Sequence, residues 1–388
     1  MVSEELFEQM KKWRQQMHAH PEAAFEEVET AKLVVTELEK MGYEVVTGVG
    51  KTGVVASLKN GNGKKVVGLR ADMDSLKMDE TTGLPYASKV ENRFHGCGHD
   101  GHTATLLGAA QVIAERKNFD GTVRLIFQPA EEPGYGARAM IEDGVMEKYP
   151  MDEIYALHNN PQMPLGQIGT CPGGIATSED NFVIKIKGKG GHASAPHNVK
   201  DPLVIASEII LALQTIVSRN FSPLETAVVS CTEFITDGAR NAIPSNVLIK
   251  GDARAYKPES QQLIEDRMRK ICMGICALND AECEFEYTHE FAPTFNDAVC
   301  TTYAVESAKK VVGEKNAFDD LPPGTGSEDF GLFLQHIPGC YLRIGGMVCE
   351  TEDDAIPVHN SSFDFNDDIL PIGAKFFTQL IEDRMELK

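Results

Sequence analysis

Residues 65–74 read KVVGLRADMD, a short apolar run that ends in two carboxylates. Apolar runs of similar length recur along the chain and alternate with stretches in which apolar residues follow helical spacing. Strands that alternate with helices are typical of an α/β fold whose central sheet is largely parallel and flanked by helices. The predicted strands are 53–58, 65–70, 122–128, 153–157 and 340–344. The predicted helices are 4–17, 29–41, 102–117, 136–148, 298–312 and 366–384.

The order of the elements changes between residues 180 and 288. There a strand, a helix, two strands, a helix and a strand follow one another. This β-α-β-β-α-β order is the signature of a ferredoxin-like domain, and the segment is long enough to fold as one domain. We therefore predict a main domain from residues 1–179 and 289–388, with a smaller domain inserted at 180–288.

The composition of the 388 residues is that of an ordinary globular protein, with 42% apolar and 24% charged residues. Disorder, collagen and coiled coil are excluded on these grounds. Asp and Glu number 58 against 37 Lys and Arg, which gives a net charge of −21. Such a charge repels phosphate backbones and anionic lipids, so we expect neither nucleic acid nor a membrane as a partner.

The ends and thiols of the chain indicate a cytoplasmic protein. The first residues carry acids and no apolar run, so we expect no secretory signal. The most apolar stretch, Leu203 to Val217, is short for a membrane span and is interrupted by Glu208 and Gln214. The nine cysteines lack CxxC spacing, and we expect reduced thiols.

The densest group of reactive side chains is HGCGHDGH at residues 95–102, at the predicted start of a helix. Imidazole and thiolate are preferred ligands of zinc-like metals, and the interleaved glycines let the backbone turn so that alternate side chains converge. A polar helix cap with solvated histidines is the alternative. We favour a metal site because a loop rarely gathers five such groups, although the motif does not identify the reaction.

Other acids and an imidazole follow predicted strands. Asp72 and Asp74 end one strand, the pair Glu131 and Glu132 follows another, and His158 follows a third. Taken singly, two acids at a strand end commonly belong to a turn, a pair of glutamates commonly lies on a solvated face, and a histidine after a strand is commonly a hydrogen-bonded loop residue. Open α/β sheets bind ligands at the carboxyl ends of their strands, so together these residues predict one site. In metal hydrolysis one of two adjacent glutamates can bind the metal while the other serves as general base.

Two later regions carry further polar groups. His359 follows an acidic stretch, and His192 follows a glycine-rich segment within the insert. Asn241 and Arg254 flank the next pair of predicted strands. His, Asn and Arg can donate hydrogen bonds to an anion or an oxyanion, although an incidental His in a glycine-rich hairpin explains the pattern equally well.

Seven motifs in this order span essentially the whole chain. They are His18-x-x-Pro21-Glu22, RADMD at 70–74, HGCGHDGH at 95–102, FQPAEE at 127–132, GGHASAP at 190–196, GSEDF at 326–330 and VHNSS at 358–362. The chain thereby resembles the metal-dependent amidohydrolases of the M20 metallopeptidase group that split N-acyl amino acids. This branch contains hippurate hydrolases, aminoacylases and plant auxin-conjugate hydrolases.

The resemblance implies two divalent metal ions in the main domain. Zn²⁺ is the first expectation, with Mn²⁺, Co²⁺ or Ni²⁺ as alternatives. Carried over by motif, the metal ligands are Cys97, His99, Glu132, His158 and His359. Glu131 resembles the general base and acid, and Asp74 the residue that orients a ligand.

The resemblance also implies that the insert is a lid through which the chain forms a homodimer or a dimer-based tetramer. His192 resembles the lid histidine that reaches the active site of the partner subunit. Asn241 and Arg254 resemble residues that hold the substrate carboxylate or the oxyanion. The motif RADMD is followed by Ser75-Leu76-Lys77 where Ala-Leu-Pro is usual, which leaves the acyl preference open.

The implied reaction is hydrolysis of a small N-acyl amino acid, hippurate-like or N-acetylated, to a carboxylate and a free amino acid. Two ions about 3.5 to 4 Å apart activate a water, and Glu131 takes its proton and passes it to the leaving amine. Three alternatives stay open. They are a dipeptidase of the same metal class, an amidase that uses Cys97 as nucleophile with His99, and a non-catalytic protein that binds amino acids.

Overall fold

The computed structural model describes residues 2–387, and the chain divides into two compact units. The first unit is built from the residues up to 175, from 295–323 and from 329 onward. The second unit is built from 176–294 and 324–328.

Strands and helices alternate along the first unit. Up to residue 176 the elements are α1 (Glu4–Ala19), α2 (Val28–Lys40), β1 (Glu44–Val49), β2 (Gly53–Asn60), β3 (Val66–Asp72), α3 (His99–Arg116), β4 (Gly121–Gln128), α4 (Gly136–Glu142), α5 (Val145–Lys148), β5 (Glu153–Pro164), β6 (Ile168–Gly169) and β7 (Gly173–Ala176). The predicted helix over 136–148 is thus two short helices. They are separated at Gly144, whose φ of +82° lies outside the helical region.

The order of the main elements in the second unit is the predicted β-α-β-β-α-β. The elements are β8 (Glu179–Lys187), β9 (Gly191–His192), α6 (Pro202–Thr215), β10 (Ala227–Thr236), β11 (Ala242–Ile243), β12 (Asn246–Ala255), α7 (Pro258–Leu278) and β13 (Glu282–Phe291). The four long strands form an antiparallel sheet in the order β10-β12-β8-β13, and β9 pairs with β11. Buried side chains alternate along β8 and β12, so one face of the sheet is covered.

The remaining elements follow residue 293. They are β14 (Thr294–Asn296), α8 (Ala298–Val312), β15 (Ala317–Phe318), α9 (Gly331–Leu334), β16 (Gly339–Met347) and α10 (Ile369–Arg384), with a 3₁₀ turn at Glu352–Asp354. Except for β14, whose residues span the boundary between the units, they belong to the first unit.

The sheet of the first unit is mixed rather than largely parallel. In the described chain its order is β1-β2-β4-β3-β5-β16-β6-β15. The central strands β4, β3, β5 and β16 run parallel, whereas β1 with β2, β2 with β4 and β16 with β6 run antiparallel. The turn between β1 and β2 is only a few residues long, and so short a connection can join only antiparallel strands.

The start and the buried face of the first helix follow from the sequence. The Ser3 hydroxyl oxygen accepts a hydrogen bond from the amide of Leu6, which caps the helix. Leu6, Met10, Trp13 and Met17 recur at helical spacing, and all four are buried in the core of the first unit.

One helix of the second unit has the length and composition of a membrane span. Residues Pro202–Asn220 have a mean hydropathy of 1.4, and 33% of the 18-residue window is buried. Ile205, Ile209 and Leu213 pack in the core of the second unit. A single helix of this kind is weak evidence for a membrane, because core helices of globular proteins meet the same criteria.

Candidate metal centre

The HGCGHDGH segment forms a tight loop that leads into α3. Gly98 has a φ of +94°, in the left-handed region that favours glycine, and the helix begins at the next residue. Gly101 has a different role, because a Cβ atom there would lie 2.3 Å from the ring of Phe365. The glycines therefore allow both a sharp turn and the close approach of an aromatic ring.

The structure brings the five predicted ligands together at the carboxyl ends of the central strands. The sulfur of Cys97 lies 3.4 Å from Nε2 of His158. Nε2 of His359 lies 3.6 Å from Oε2 of Glu132, and Nε2 of His99 lies 3.9 Å from Oε1 of the same glutamate.

Two groups of three ligand atoms share one sulfur. Cys97, His99 and His158 form one group, and Cys97, Glu132 and His359 form the other. Within each group the ligand atoms lie within 4.8 Å of one another. Thiolate, imidazole and carboxylate are the donors that zinc-like divalent cations prefer. The residues of each group could hold one divalent cation.

The hydrogen bonding of His99 also fits a metal ion. Its Nε2 is buried without a hydrogen bond, and buried polar atoms in folded proteins nearly always have a partner. Carboxylate oxygens of Asp72 and Glu131 lie 3.8 and 3.9 Å away. These distances are too long for hydrogen bonds, so Nε2 of His99 is available as a ligand of a cation.

The Nδ1 atoms of the two buried ligands His99 and His158 both have hydrogen-bond partners. Nδ1 of His99 donates to the carbonyl oxygen of Asp74 at 3.0 Å and lies 3.2 Å from its carboxylate. The other carboxylate oxygen of Asp74 accepts from the amide of Glu132 at 3.0 Å. Nδ1 of His158 donates to the carbonyl oxygen of Asn159 at 2.7 Å. Both rings are therefore fixed with Nε2 facing the cluster.

The electrostatics of the cluster depend on burial and on neighbouring charges. Burial and the Glu132 carboxylate raise the pKa of the Cys97 thiol. Burial and then His102 hold the pKa of His158 well below its usual range. Burial opposes charge on His99, but Asp72 and other neighbours raise its pKa well above the usual value. Without a metal, Cys97 is a neutral thiol beside a neutral imidazole, whereas reactive cysteines have a lowered pKa.

Glu131 lies beside the cluster on a strained turn. Its side chain is 6% exposed, and the preceding Ala130 has a φ of +49°. The carboxylate of Glu27 accepts hydrogen bonds from the amide of Ala130 at 2.8 Å and from the hydroxyl of Thr52 at 2.5 Å. The sequence does not indicate the buried position of Glu27, because an acid just before a helix resembles a solvated cap.

The third imidazole of the motif does not join the two groups that share Cys97. Nδ1 of His102 donates to the carboxylate of Asp72 at 2.6 Å, and its Nε2 lies 2.6 Å from the side-chain oxygen of Asn159. Asp72 also accepts from Arg70 at 2.7 Å. His102 thus links a strand end to the residue after His158.

Two of the predicted substrate-binding residues lie near each other in the second unit. His192 is exposed on β9 and pairs with Ala242 of the antiparallel strand β11, the neighbour of Asn241. The amide of Ala193 donates to the carbonyl oxygen of Asn241 at 3.1 Å. Nδ1 of His192 accepts from the hydroxyl of Ser194 at 2.8 Å.

Arg254 lies on β12 of the same unit and already has partners. It pairs with carboxylate oxygens of Asp252 at 3.0 Å and Glu179 at 3.1 Å. Its guanidinium also donates to the hydroxyl of Ser327 at 3.1 Å. A substrate carboxylate at this arginine would have to compete with these two acids.

Comparison with known proteins shows the family. Residues 68–383 match Peptidase family M20/M25/M40. The chain is 44% identical over 372 residues to the hippurate hydrolase of Campylobacter jejuni, covering 96% of this chain and 95% of that protein. It is 38% identical over 369 residues to an N-acetylcysteine deacetylase of Bacillus subtilis, covering 95% and 94%. The crystal structure of a dinuclear metal-binding M20 peptidase of Bacillus subtilis superposes with a TM-score of 0.84 at 33% identity, covering 98% of each chain.

The chain therefore belongs to peptidase family M20, which confirms the resemblance and the branch inferred from the motifs. Membership and these relatives make it a hydrolase of amide bonds. The family, the dinuclear structural neighbour and the ligand groups around Cys97 together imply divalent metal ions.

Proposed function

We propose that this protein is a metal-dependent amidohydrolase that cleaves the amide bond of N-acyl amino acids, either hippurate-like or N-acetylated. The products are a carboxylate and a free amino acid. The observation that carries the proposal is the convergence of the five donor side chains, with the carboxylate of Glu131 beside them. The names of two relatives, a hippurate hydrolase and an N-acetylcysteine deacetylase, support the substrate class.

Cys97, His99 and His158 would hold one ion, and Cys97, Glu132 and His359 the other. When bound, a pair of divalent cations polarises the acyl carbonyl and lowers the pKa of water toward about 7. The mixed sulfur, nitrogen and oxygen donors favour Zn²⁺, with Mn²⁺, Co²⁺ and Ni²⁺ as alternatives.

Glu131 is the proposed general base and acid. It can accept the proton of the attacking water and deliver it to the leaving amine, because its carboxylate lies at the cluster and is nearly shielded from solvent. Asp74 is the proposed orienting residue, since it contacts both His99 and the amide of Glu132. Two adjacent glutamates thereby divide the work of metal binding and proton transfer.

The insert over residues 180–288, which lies within the second unit, is the proposed ferredoxin-like lid and dimerisation domain. His192 would donate to the developing oxyanion in the active site of a partner subunit, and Asn241 and Arg254 would bind the substrate carboxylate or the oxyanion. The assembly would be a homodimer or a dimer-based tetramer. We place the protein in the cytoplasm, with small molecules rather than nucleic acids or membranes as partners.

A second candidate within the same chemistry is peptide cleavage. A thermostable carboxypeptidase of Saccharolobus solfataricus is 37% identical over 365 residues, covering 93% of this chain and 91% of that protein. The two candidates differ in whether the acyl group carries a free amino group.

Turnover of N-benzoylglycine, N-acetylmethionine and an unblocked dipeptide, with metal analysis of the purified protein, tests the proposal. We expect release of free amino acid from at least one N-acyl substrate and about two metal ions per chain. Exclusive cleavage of the dipeptide would select the peptidase. Binding of these compounds without turnover would indicate a non-catalytic protein.

A further inference from the structure

Arg14 is a fully buried arginine of α1 with no part in the proposed chemistry. Its Nη1 donates to the carboxylate of Asp364 at 3.2 Å, and its Nη2 donates to that of Asp367 at 3.2 Å. Nη1 also lies 3.7 Å from the carboxylate of Asp100. The three acids compensate the charge of the buried guanidinium, because a buried charge without a partner is costly. The group therefore has a specific structural role.

The acids around Arg14 belong to the two segments that supply metal ligands. Asp100 directly follows His99 at the start of α3, whereas Asp364 lies five residues after His359. These segments also touch directly, since the amide of His359 donates to the carbonyl oxygen of Gly96 at 2.8 Å. Arg14 therefore joins the His359 segment to the segment that contains Cys97 and His99.

Tyr86 completes the connection from the loop between β3 and α3. Its ring centroid lies 4.6 Å from the guanidinium carbon of Arg14, and its hydroxyl donates to the carboxylate of Asp364 at 2.8 Å. In the same loop, the amide of Thr81 donates to the carbonyl oxygen of Ser361 at 2.8 Å. The His359 segment is thus held from two sides.

His359 needs this support more than the other ligands do. Its side chain is 53% exposed, whereas those of His99 and His158 are buried. It also lies on a segment without regular secondary structure, and its φ is +65°. A residue in this sparsely populated conformation keeps it only when its surroundings impose it.

We propose that Arg14 is a positioning residue, which holds the His359 segment against the Cys97–His99 loop and thereby sets the affinity of the metal ion that His359 binds. The inference rests on the proposed metal centre. Residues that orient ligands without touching the metal typically change metal affinity by about 10- to 100-fold when they are replaced. The ion held by Cys97, His99 and His158 should respond far less, since His158 lies on β5 and His99 at the start of α3.

The test is calorimetric titration of the metal-free protein with Zn²⁺ and with Co²⁺, whose visible absorption reports the ligand geometry. Arg14→Lys keeps the positive charge but loses the planar guanidinium, which donates to two carboxylates at once. Tyr86→Phe removes only the hydroxyl that donates to Asp364. We expect two binding events in the wild type. In both variants one event should lose roughly 10-fold or more in affinity while the other changes by less than about two-fold.

Two control variants separate positioning from general destabilisation. Arg384→Lys weakens the pair with Glu153 at 2.8 Å, and Tyr43→Phe removes a buried hydroxyl that donates to Ala110 at 3.0 Å. Neither pair involves the His359 segment or the loop at residues 95–98, so both controls should lower the melting temperature without changing the ratio of the two affinities.

Three outcomes decide the matter. A selective loss of one binding event in Arg14→Lys or Tyr86→Phe supports the inference, and Tyr86→Phe alone suffices if the arginine variant does not fold. Two unchanged events, or two events weakened equally, overturn it while leaving the metal centre intact. A wild-type protein without two binding events contradicts the proposed metal centre and the inference with it.

Discussion

The sulfur of Cys97 lies 3.4 Å from Nε2 of His158, although 61 residues separate them in the chain. A thiol beside an imidazole also occurs in cysteine hydrolases, where the pair is ionised and the thiolate attacks the substrate. Here burial and Glu132 raise the pKa of the thiol, and burial lowers that of the imidazole. The pair is therefore neutral in the metal-free protein, and a cation is needed to stabilise the thiolate.

A chelator and a thiol reagent should have opposite effects on the metal-loaded enzyme. We expect EDTA dialysis to abolish hydrolysis and added Zn²⁺ or Mn²⁺ to restore it, because the cations supply the electrophile. Iodoacetamide should leave activity nearly unchanged while the metal covers Cys97. Rapid inactivation by the reagent, together with indifference to EDTA, would instead support the nucleophile mechanism.

Replacement of each glutamate in turn tests their division of labour. Glu131→Gln should keep the metal content of the wild type but reduce turnover by roughly 10²- to 10⁴-fold, because it removes the base. Glu132→Ala should lose metal, since it deletes a ligand. Metal analysis and steady-state kinetics on the same preparations provide the measurement. Substantial activity of Glu131→Gln would show that another group transfers the proton.

The close contact between Gly101 and Phe365 predicts that an alanine at this helix position destabilises the protein. Gly101→Ala should destabilise the protein by about 1 to 3 kcal/mol, because the new methyl group overlaps the ring. Gly274 on α7 is the matched control, since a Cβ atom there meets nothing within 4 Å. Gly274→Ala should stabilise by about 0.5 to 1 kcal/mol through helix propensity. Urea unfolding measures both, and equal effects of the two substitutions would contradict the packing argument.

Glu27 predicts a pH dependence of stability. Burial, followed by the nearby Asp74, raises the pKa of this carboxyl from 4.5 to about 7. Its protonated form is favoured by folding, so its contribution is complete below pH 4.5 and is lost as the pH rises through about 7. Glu27→Gln mimics the protonated form and should raise the free energy of unfolding at pH 8 by on the order of 2 to 3 kcal/mol, with little effect at pH 4. Unfolding of the metal-free protein at both pH values tests this.

Glu29→Gln on the same helix is the control for that experiment, because Glu29 is exposed. The free energy of unfolding of Glu29→Gln should match that of the wild type at both pH values. If Glu27→Gln also followed the wild type, the carboxyl would be charged in the folded protein at neutral pH.

A site shared between subunits should be open to complementation. A His192→Ala chain and a Glu131→Gln chain should each be inactive alone, because one lacks the oxyanion donor and the other the base. Mixed by unfolding and refolding together, they should recover up to about a quarter of wild-type activity, since a heterodimer contains one intact site. Mixtures that stay inactive would place His192 outside the site of its partner.

The sequence predicted the parts of the fold that depend on local pattern. Buried strands such as β3 and β4 were found because apolar runs are strong signals, and their ends located Asp74 and Glu131 at one edge of the sheet. The strand β1 was missed because only one of its six residues is buried, so no continuous apolar run marks it. The mixed order of the sheet follows from strand pairing, which is a property of tertiary structure.

The supporting residues were the least predictable part of the candidate site. Glu27, Arg14 and Asp364 are charged residues, and a charged residue is usually solvated. Each acquires its environment from contacts with distant segments, such as Arg14 with Asp364 across 350 positions. His102 showed the converse, because the motif grouped it with the metal ligands and the structure gives it Asp72 as partner.

The distribution of the donors along the chain affects how the protein is made. Four of them are translated by residue 158, but His359 and two of the three acids that meet Arg14, Asp364 and Asp367, emerge from the ribosome roughly two hundred residues later. At about 5 to 20 residues per second, this delay is roughly 10 to 40 seconds. During that interval the nascent chain has an incomplete set of ligands, and Arg14 lacks two of its three acids, so full metal loading belongs to the last stage of synthesis.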